Sequence, residues 1–410
     1  MCLRSCGFAL TLRFALITFA GVERRTLVQA RALKAASVCV LLITLTAGLW
    51  PFHVPLNDVS WMTEGNGLFL GKHGSLVSAG SLEGKRTQAG NPCSLEIWLK
   101  PNRVDAEGLG MILAFYSPAS QLTRFALRQY RGGLVMGRES QGSLPAKSEI
   151  YVGEVFGDVK PVLVTITSSE IGTATYVDGV LTKTVPGFSF SNRDLTGRIV
   201  VGNAPSTSYS WSGQLKGLAI YDLELSPAQV SRGFENWTTG SYRSAAKTDG
   251  VVARYVFDEG NGRVVRNQVD AATNLLIPER FFVLNEQFLE RPWDEYRPGW
   301  RYWKNVLVNI FGLVPLGFFF YAYFSTIRKI RRAAWLTIAL GFATSLTIEV
   351  LQSFLPTRDS GMTDLFTNTF GTALGVSLCI WCIKHNWFDI AGMSSVANLE
   401  KQREDACMVP

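Results

Sequence analysis

Apolar residues along this chain fall into two regimes. Near the ends they gather into unbroken runs, and through the middle they alternate with polar residues over short stretches. A membrane-spanning helix needs on the order of 20 predominantly apolar residues to cross a hydrocarbon core about 30 Å thick. Four runs read as such spans: 35–50 (AASVCVLLITLTAGLW), 306–324 (VLVNIFGLVPLGFFFYAYF), 333–355 (AAWLTIALGFATSLTIEVLQSFL) and 365–383 (LFTNTFGTALGVSLCIWCI). The first is short, and Lys34 can snorkel so that it starts earlier. Between them, from about Trp61 to Asn274, the pattern is strands and turns. In SLEIWLK, Leu95, Ile97 and Leu99 share one face of a period-two strand. TATYVDGVLTKTV is two strand-like runs around Asp178-Gly179, a hairpin signal because both central residues must take positive φ. RIVVG at 198–202, LKGLAIY at 215–221 and VARYVF at 252–257 read as further strands, and Ser226-Pro227 opens a short helix. Many short strands without a long helical pattern predict one all-β sandwich over 61–274.

Charge sets the expected orientation. Arg24, Arg25, Arg31 and Lys34 precede the first run, and Arg328, Lys329, Arg331 and Arg332 join the second to the third. Positive residues at the ends of spans favour the cytoplasmic side. The expected layout is therefore a cytoplasmic N-terminus over 1–34, a sandwich outside the cytoplasmic membrane, a juxtamembrane linker over 275–304, a helical region over 305–385 and a cytoplasmic tail over 386–410. The loop from Pro356 to Thr363 falls outside. Arg297, Arg301 and Lys304 oppose this, but the four-charge loop and the long translocated middle outweigh them; Trp300, Tyr302 and Trp303 beside them read as an interfacial belt. The run from Gly7 to Val22 carries Arg13 and reads as an interfacial segment or as the product of an upstream start, not as a cleaved signal. Hydrophobic residues make up 47% of the chain and the net charge is +7. Positive charge beside apolar blocks points to lipid headgroups rather than to nucleic acid.

Chemistry-bearing residues are sparse in the middle and concentrated at the end. Of the seven cysteines, only Cys93 lies in the expected sandwich, so that domain rests on its core. Cys379 and Cys382 spell a CxxC inside an apolar run, where packing is the expected role. The three histidines have no metal-ligand spacing, and no cofactor, metal or catalytic residue is expected. Glycoside hydrolysis needs two carboxylates about 5 to 10 Å apart across one bond; Glu96 has no partner at such spacing. Asp178, Asp222 and Asp258 lie near turns, where solvated carboxylates are the usual outcome and calcium the alternative. The second span holds Asn309, four residues after Asn305, with Pro315, which kinks or locally opens it, and Gly317. Glu349 and Gln352 lie at the outer end of the third. Arg358 follows in the loop, and Asp364, Asn368, Gly371 and Gly375 form one polar and small-residue stripe on the fourth. A carboxylate in hydrocarbon costs about 2.5 to 3.5 kcal/mol on insertion scales, tolerable if Glu349 faces a partner such as Arg358, Asn309 or Asn368. These residues either glue the helices together or form a pocket centred on Glu349 and Arg358.

Two resemblances rest on these residues. SLEIWLKP, TYVDGVLTKT, RIVVGN and SWSGQLKGLAIYDLELSPAQV resemble the concanavalin A-like, laminin-G-like sandwiches, implying a jelly roll of a type often used to bind carbohydrate or protein. NIFGLVPLG followed by IEVLQSFLPTRDSGMTDLFTNTFGTALG resembles the VanZ-like membrane family, with Asn309, Pro315, Gly317, Glu349, Gln352, Arg358, Asp364, Asn368 and Gly371 at the matching positions. The departure is the sandwich, placed between the first span and the rest. The resemblance implies a multidomain protein of the bacterial inner membrane with about four helices and a role in glycopeptide (teicoplanin) resistance or polysaccharide handling. Membrane lipid and a glycan or cell-wall polymer are the expected partners. The competing readings are an intramembrane enzyme or transporter for a lipid-linked envelope precursor, using Glu349, Arg358 and Asp364, and a scaffold whose sandwich binds protein.

Overall fold

The computed structural model describes residues 30–83, 91–104, 108–138, 149–206, 209–241, 250–286, 288–296, 299–327, 330–385 and 387. The expected N-terminal segment up to residue 29 and nearly all of the expected tail lie outside these. The chain divides into two compact units. One holds residues 53–286 together with Pro356–Arg358; the other holds the remaining described residues.

The first unit is built from β1 (Val59–Trp61), β2 (Leu68–Leu70), β3 (Leu76–Leu82), β4 (Cys93–Pro101), β5 (Leu109–Ser117), β6 (Leu122–Tyr130), β7 (Gly133–Gly137), β8 (Glu149–Val152), β9 (Val162–Ser169), β10 (Gly172–Val177), β11 (Val180–Pro186), β12 (Gly197–Val201), β13 (Gly213–Tyr221), β14 (Val251–Tyr255), β15 (Val264–Val265) and β16 (Leu275–Leu276). They form two antiparallel sheets. One has the order β1-β2-β13-β4-β9-β10-β11, with β14 also on β13; the other runs β15-β16-β3-β12-β5-β6-β7-β8. This is the jelly-roll type of sandwich that the alternating pattern predicts. Leu95, Ile97 and Leu99 are fully buried between the sheets beside Phe115, Phe125, Ile199 and Leu218, each such side chain contributing about 1.5 to 3 kcal/mol of burial. The turn between β10 and β11 has Asp178 at φ 50° and Gly179 at φ 81°, and Val177 pairs with Val180 across it. That is the two-residue turn whose twist matches the strands.

The alternate face of β4 carries Ser94, Glu96 and Trp98. In a one-sided antiparallel sheet this face would meet water. Here it meets helix α2 (Pro227–Thr239), which starts with proline at its first position after Ser226. The Gln229 side chain accepts a hydrogen bond from the Ser226 backbone N–H at 2.8 Å, and Gly240 ends the helix in the left-handed conformation at φ 75°. The segment expected as a linker joins the sandwich as far as residue 286. β16 pairs with β3, and Phe282 and Leu284 pack on the outer face of the second sheet against Val77, Met111, Ala114 and Ala126.

The second unit is helical: α1 (Ala30–Leu49), then α3 (Pro292–Glu295), α4 (Trp300–Ile327), α5 (Ile330–Gln352) and α6 (Met362–Lys384). Among the described residues, four helices are long and apolar enough to cross a membrane. α1 begins five residues before the expected span, consistent with room for Lys34 at its polar end. α4 stays helical through Pro315.

Candidate functional site

The site forms where α5 hands over to α6. α5 ends at Gln352, close before Pro356, a residue that cannot continue a helix. The chain turns and restarts at Met362 with Gly361 as N-cap. Glycine has no side chain to satisfy the orphan N–H groups of a first turn, so acids from elsewhere do it. Glu349 Oε2 accepts from the Gly361 N–H at 2.9 Å, and the Ser360 hydroxyl also bonds the Glu349 carboxylate. Glu295 of α3 accepts from the Thr363 N–H at 3.5 Å, and a Cβ on Gly361 would collide with Glu295 Oε1. Asp364 stands in the first turn of α6, where a negative charge suits the helix dipole. The backbone of Glu290 pairs with the turn on both sides, its N–H donating to Ser360 O and its carbonyl accepting from the Met362 N–H, both at 2.9 Å.

Glu349 is 1% exposed. Its partners are the Gly361 amide and the Ser360 hydroxyl, with Asp364 and Glu295 close enough to act on it electrostatically. Asn309 and Asn368 pair elsewhere. Asn309 Nδ2 donates to Asp364 Oδ1 at 2.7 Å, tying α4 to α6. Asn368 Nδ2 donates to Ser345 Oγ at 2.9 Å, one turn deeper between α5 and α6, and its Oδ1 is buried without a partner. Gln352 Nε2 donates to the Gly48 carbonyl at 2.7 Å, tying α5 to α1. Arg358 is exposed and belongs to the segment grouped with the sandwich. The predicted residues thus separate into a carboxylate-rich turn (Glu349, Asp364, Asn309), a buried amide layer (Asn368) and a helix tie (Gln352).

Small residues let the helices meet. A Cβ on Gly317 would lie 2.0 Å from Thr372 O, on Gly371 2.1 Å from Ile310 O, and on Gly375 2.1 Å from Val314 O. The backbones of α4 and α6 are in direct contact there, as in small-residue membrane crossings. Cys379 and Cys382 are free and buried, Cys379 packing with Tyr321 and Ala322. Sequence reasoning missed Glu295, Ser360 and Ser345. Ser345 lies four residues before Glu349 on the same helix face, a usable signal; Glu295 and Ser360 sit in short irregular segments without one.

In the sandwich, Glu96 is 1% exposed and its Oε2 accepts from Tyr221 Oη at 2.7 Å and from Trp237 Nε1 at 2.9 Å. Burial pushes its carboxyl above the ordinary value, against the pull of Trp237, Tyr221 and Arg254. This carboxylate is sealed under α2 and holds that helix on the sheet. Asp178 Oδ1 accepts from the Leu163 N–H at 2.9 Å, a turn-stapling role. Among the described residues, no three His, Cys, Asp or Glu side chains gather as metal ligands.

A lectin-like sandwich joined to helices of membrane-spanning length defines the class. A concanavalin A-like lectin/glucanase superfamily model matches residues 76–231, and a VanZ/LLP1 family model matches residues 252–384. The chain therefore joins a VanZ-like C-terminal region to a laminin-G-like sandwich. No curated protein matches the chain significantly. Similar solved structures include a putative carbohydrate binding protein from Bacteroides ovatus, at 12% identity and a TM-score of 0.37, covering 57% of this chain and 63% of that one. The ligand binding domain of botulinum neurotoxin serotype D, in complex with N-acetylneuraminic acid, matches at 16% identity and a TM-score of 0.33, covering 45% of this chain and 46% of that one. A heptameric SAP-like pentraxin from Limulus polyphemus matches at 16% identity and a TM-score of 0.30, covering 56% of this chain and 95% of that one.

Proposed function

We propose that this is a cell-envelope membrane protein whose sandwich binds a glycan or another envelope polymer while the helices anchor it. The inner membrane is its site, with the sandwich outside and both termini cytoplasmic. The observation that carries the reading is the union, in one chain, of a concanavalin A-like sandwich with, among the described residues, four helices of spanning length. Glu96, the buried carboxylate of the sandwich, is committed to Tyr221 and Trp237, which supports binding over hydrolysis. The test is a glycan array probed with the full-length protein in lipid nanodiscs. Retention of envelope polysaccharides is expected; no retention of any would overturn the reading.

Glu349 is almost wholly buried within an apolar helix, beside Asp364 and Glu295. An ionisable group buried in such a helix marks function by default, supporting a site for a lipid-linked envelope precursor, with a link to teicoplanin resistance. Arg358 joins this proposal as the expected cation. Glu349→Gln should abolish a resistance phenotype at unchanged protein level. Wild-type behaviour of that variant makes the cluster structural.

A further inference from the structure

We propose that the outward face of β6, β7 and β8 is the glycan platform of the sandwich and that it takes a carboxylate-bearing polysaccharide; this rests on the glycan reading above. Leu127, Met136, Ile150 and Val152 point into the core. The alternate positions therefore turn outward, and the register aligns Arg128 with Val135 and Val135 with Tyr151, with Tyr130 opposite Gly133. At this end of the sheet two tyrosines stand in solvent, Tyr130 at 37% exposure and Tyr151 at 45%. Their ring centroids are 6.3 Å apart with the planes at 78°.

The pair is propped rather than loose. A Cβ on Gly133 would lie 2.5 Å from Tyr151 Cε2, so the bare strand position is what lets the Tyr151 ring lie across β7 toward Tyr130. Lys183 Nζ donates to the Tyr151 carbonyl at 2.7 Å, fixing the backbone of the edge strand. The Arg131 guanidinium carbon sits 5.4 Å from the Tyr130 ring centroid, and Arg128 is paired with Glu149.

Two adjacent, partly exposed aromatic rings offer a stacking surface at this end of the sheet. Tyrosine offers a rigid, amphipathic surface at low entropy cost. A sugar ring is its chemical complement, because the C–H face stacks on the aromatic ring while hydroxyls reach the phenol and the flanking polar groups. With the planes at 78°, one ring offers the stacking face and the other stands as a wall beside it. Charge then narrows the class. Arg128 and Glu149 neutralise each other. Arg131 beside Tyr130 and Lys183, which reaches the Tyr151 carbonyl from β11 of the other sheet, leave positive charge at this edge, with Glu154 past the end of β8 as the opposing acid. Arg131 presents a planar fork suited to a carboxylate.

The experiment measures binding of the full-length protein in zwitterionic nanodiscs to polygalacturonate, hyaluronan and the neutral glucan laminarin. The acidic chains should bind more tightly than laminarin. Tyr151→Ala should weaken acidic binding about tenfold, the loss of roughly one aromatic contact, and Tyr151→Phe should retain it. Arg131→Gln should weaken it and flatten its salt dependence. Unchanged unfolding temperatures show that the variants are folded. Equal binding by Tyr151→Ala, or equal affinity for laminarin, overturns the platform and leaves the glycan reading standing. Failure of the wild type to bind any polysaccharide in the array overturns both.

Discussion

Glu96 shows how one residue changes meaning between a sequence and a fold. On the strand pattern it belongs to a face that meets water, and an isolated acid there carries no information. With α2 laid over that face, the same carboxylate becomes a buried acceptor for Tyr221 and Trp237. Its carboxyl is raised above the ordinary 4.5, chiefly by burial. A raised folded value means that the native state binds the proton more tightly than the unfolded chain does. Stability contributed by this group is therefore fully present below about pH 4.5 and is lost as pH rises through the folded value. Thermal unfolding between pH 4 and pH 8 should show the wild type losing ground to Glu96→Gln as pH rises; parallel curves would refute this. Glu96→Ala strips Tyr221 and Trp237 of their shared acceptor and removes the acid that faces Arg254, and should cost about 3 to 5 kcal/mol.

At the scale of elements, contact between α4 and α6 depends on positions that have no side chain. Gly371 and Gly375 were legible as a stripe because helical period alone places them on one face. That Ile310 O and Val314 O press on them required knowing which helix is the neighbour. Gly371→Val should therefore unpack the bundle, lowering its unfolding temperature in detergent by an amount matching about 2 kcal/mol or more. Gly312 on α4 faces open space, and Gly312→Ala should leave that temperature unchanged. A bundle indifferent to Gly371→Val would remove the close α4–α6 crossing. The amides were legible as polar positions in apolar runs, yet their pairing was not: Asn309 finds Asp364 and Asn368 finds Ser345 because long-range contacts select partners that spacing along one helix does not encode.

At the scale of the molecule, the four apolar helices among the described residues and a basic loop make the topology testable. Full-length protein should pellet with membranes and leave them only with detergent. An alkaline phosphatase fusion between Arg328 and Arg332 should be inactive, and one within the sandwich, after Asn274, should be active. The reverse pattern would invert the orientation and move the sandwich to the other side of the membrane.

What the amino-acid order determined by itself is what local physics can read. Run length against bilayer thickness marks spans, period-two alternation marks strands, and Asp178-Gly179 marks a turn, since each is set by residues adjacent in the chain. Tertiary structure alone decided which polar groups meet. Glu295 and Thr363 come together across 68 residues, and Glu349 reaches the amide of Gly361. Tyr130 and Tyr151 become a pair only because β7 lies between their strands with glycine at position 133. Such meetings depend on how faces pack over one another, and a buried donor or acceptor takes the partner that packing leaves beside it.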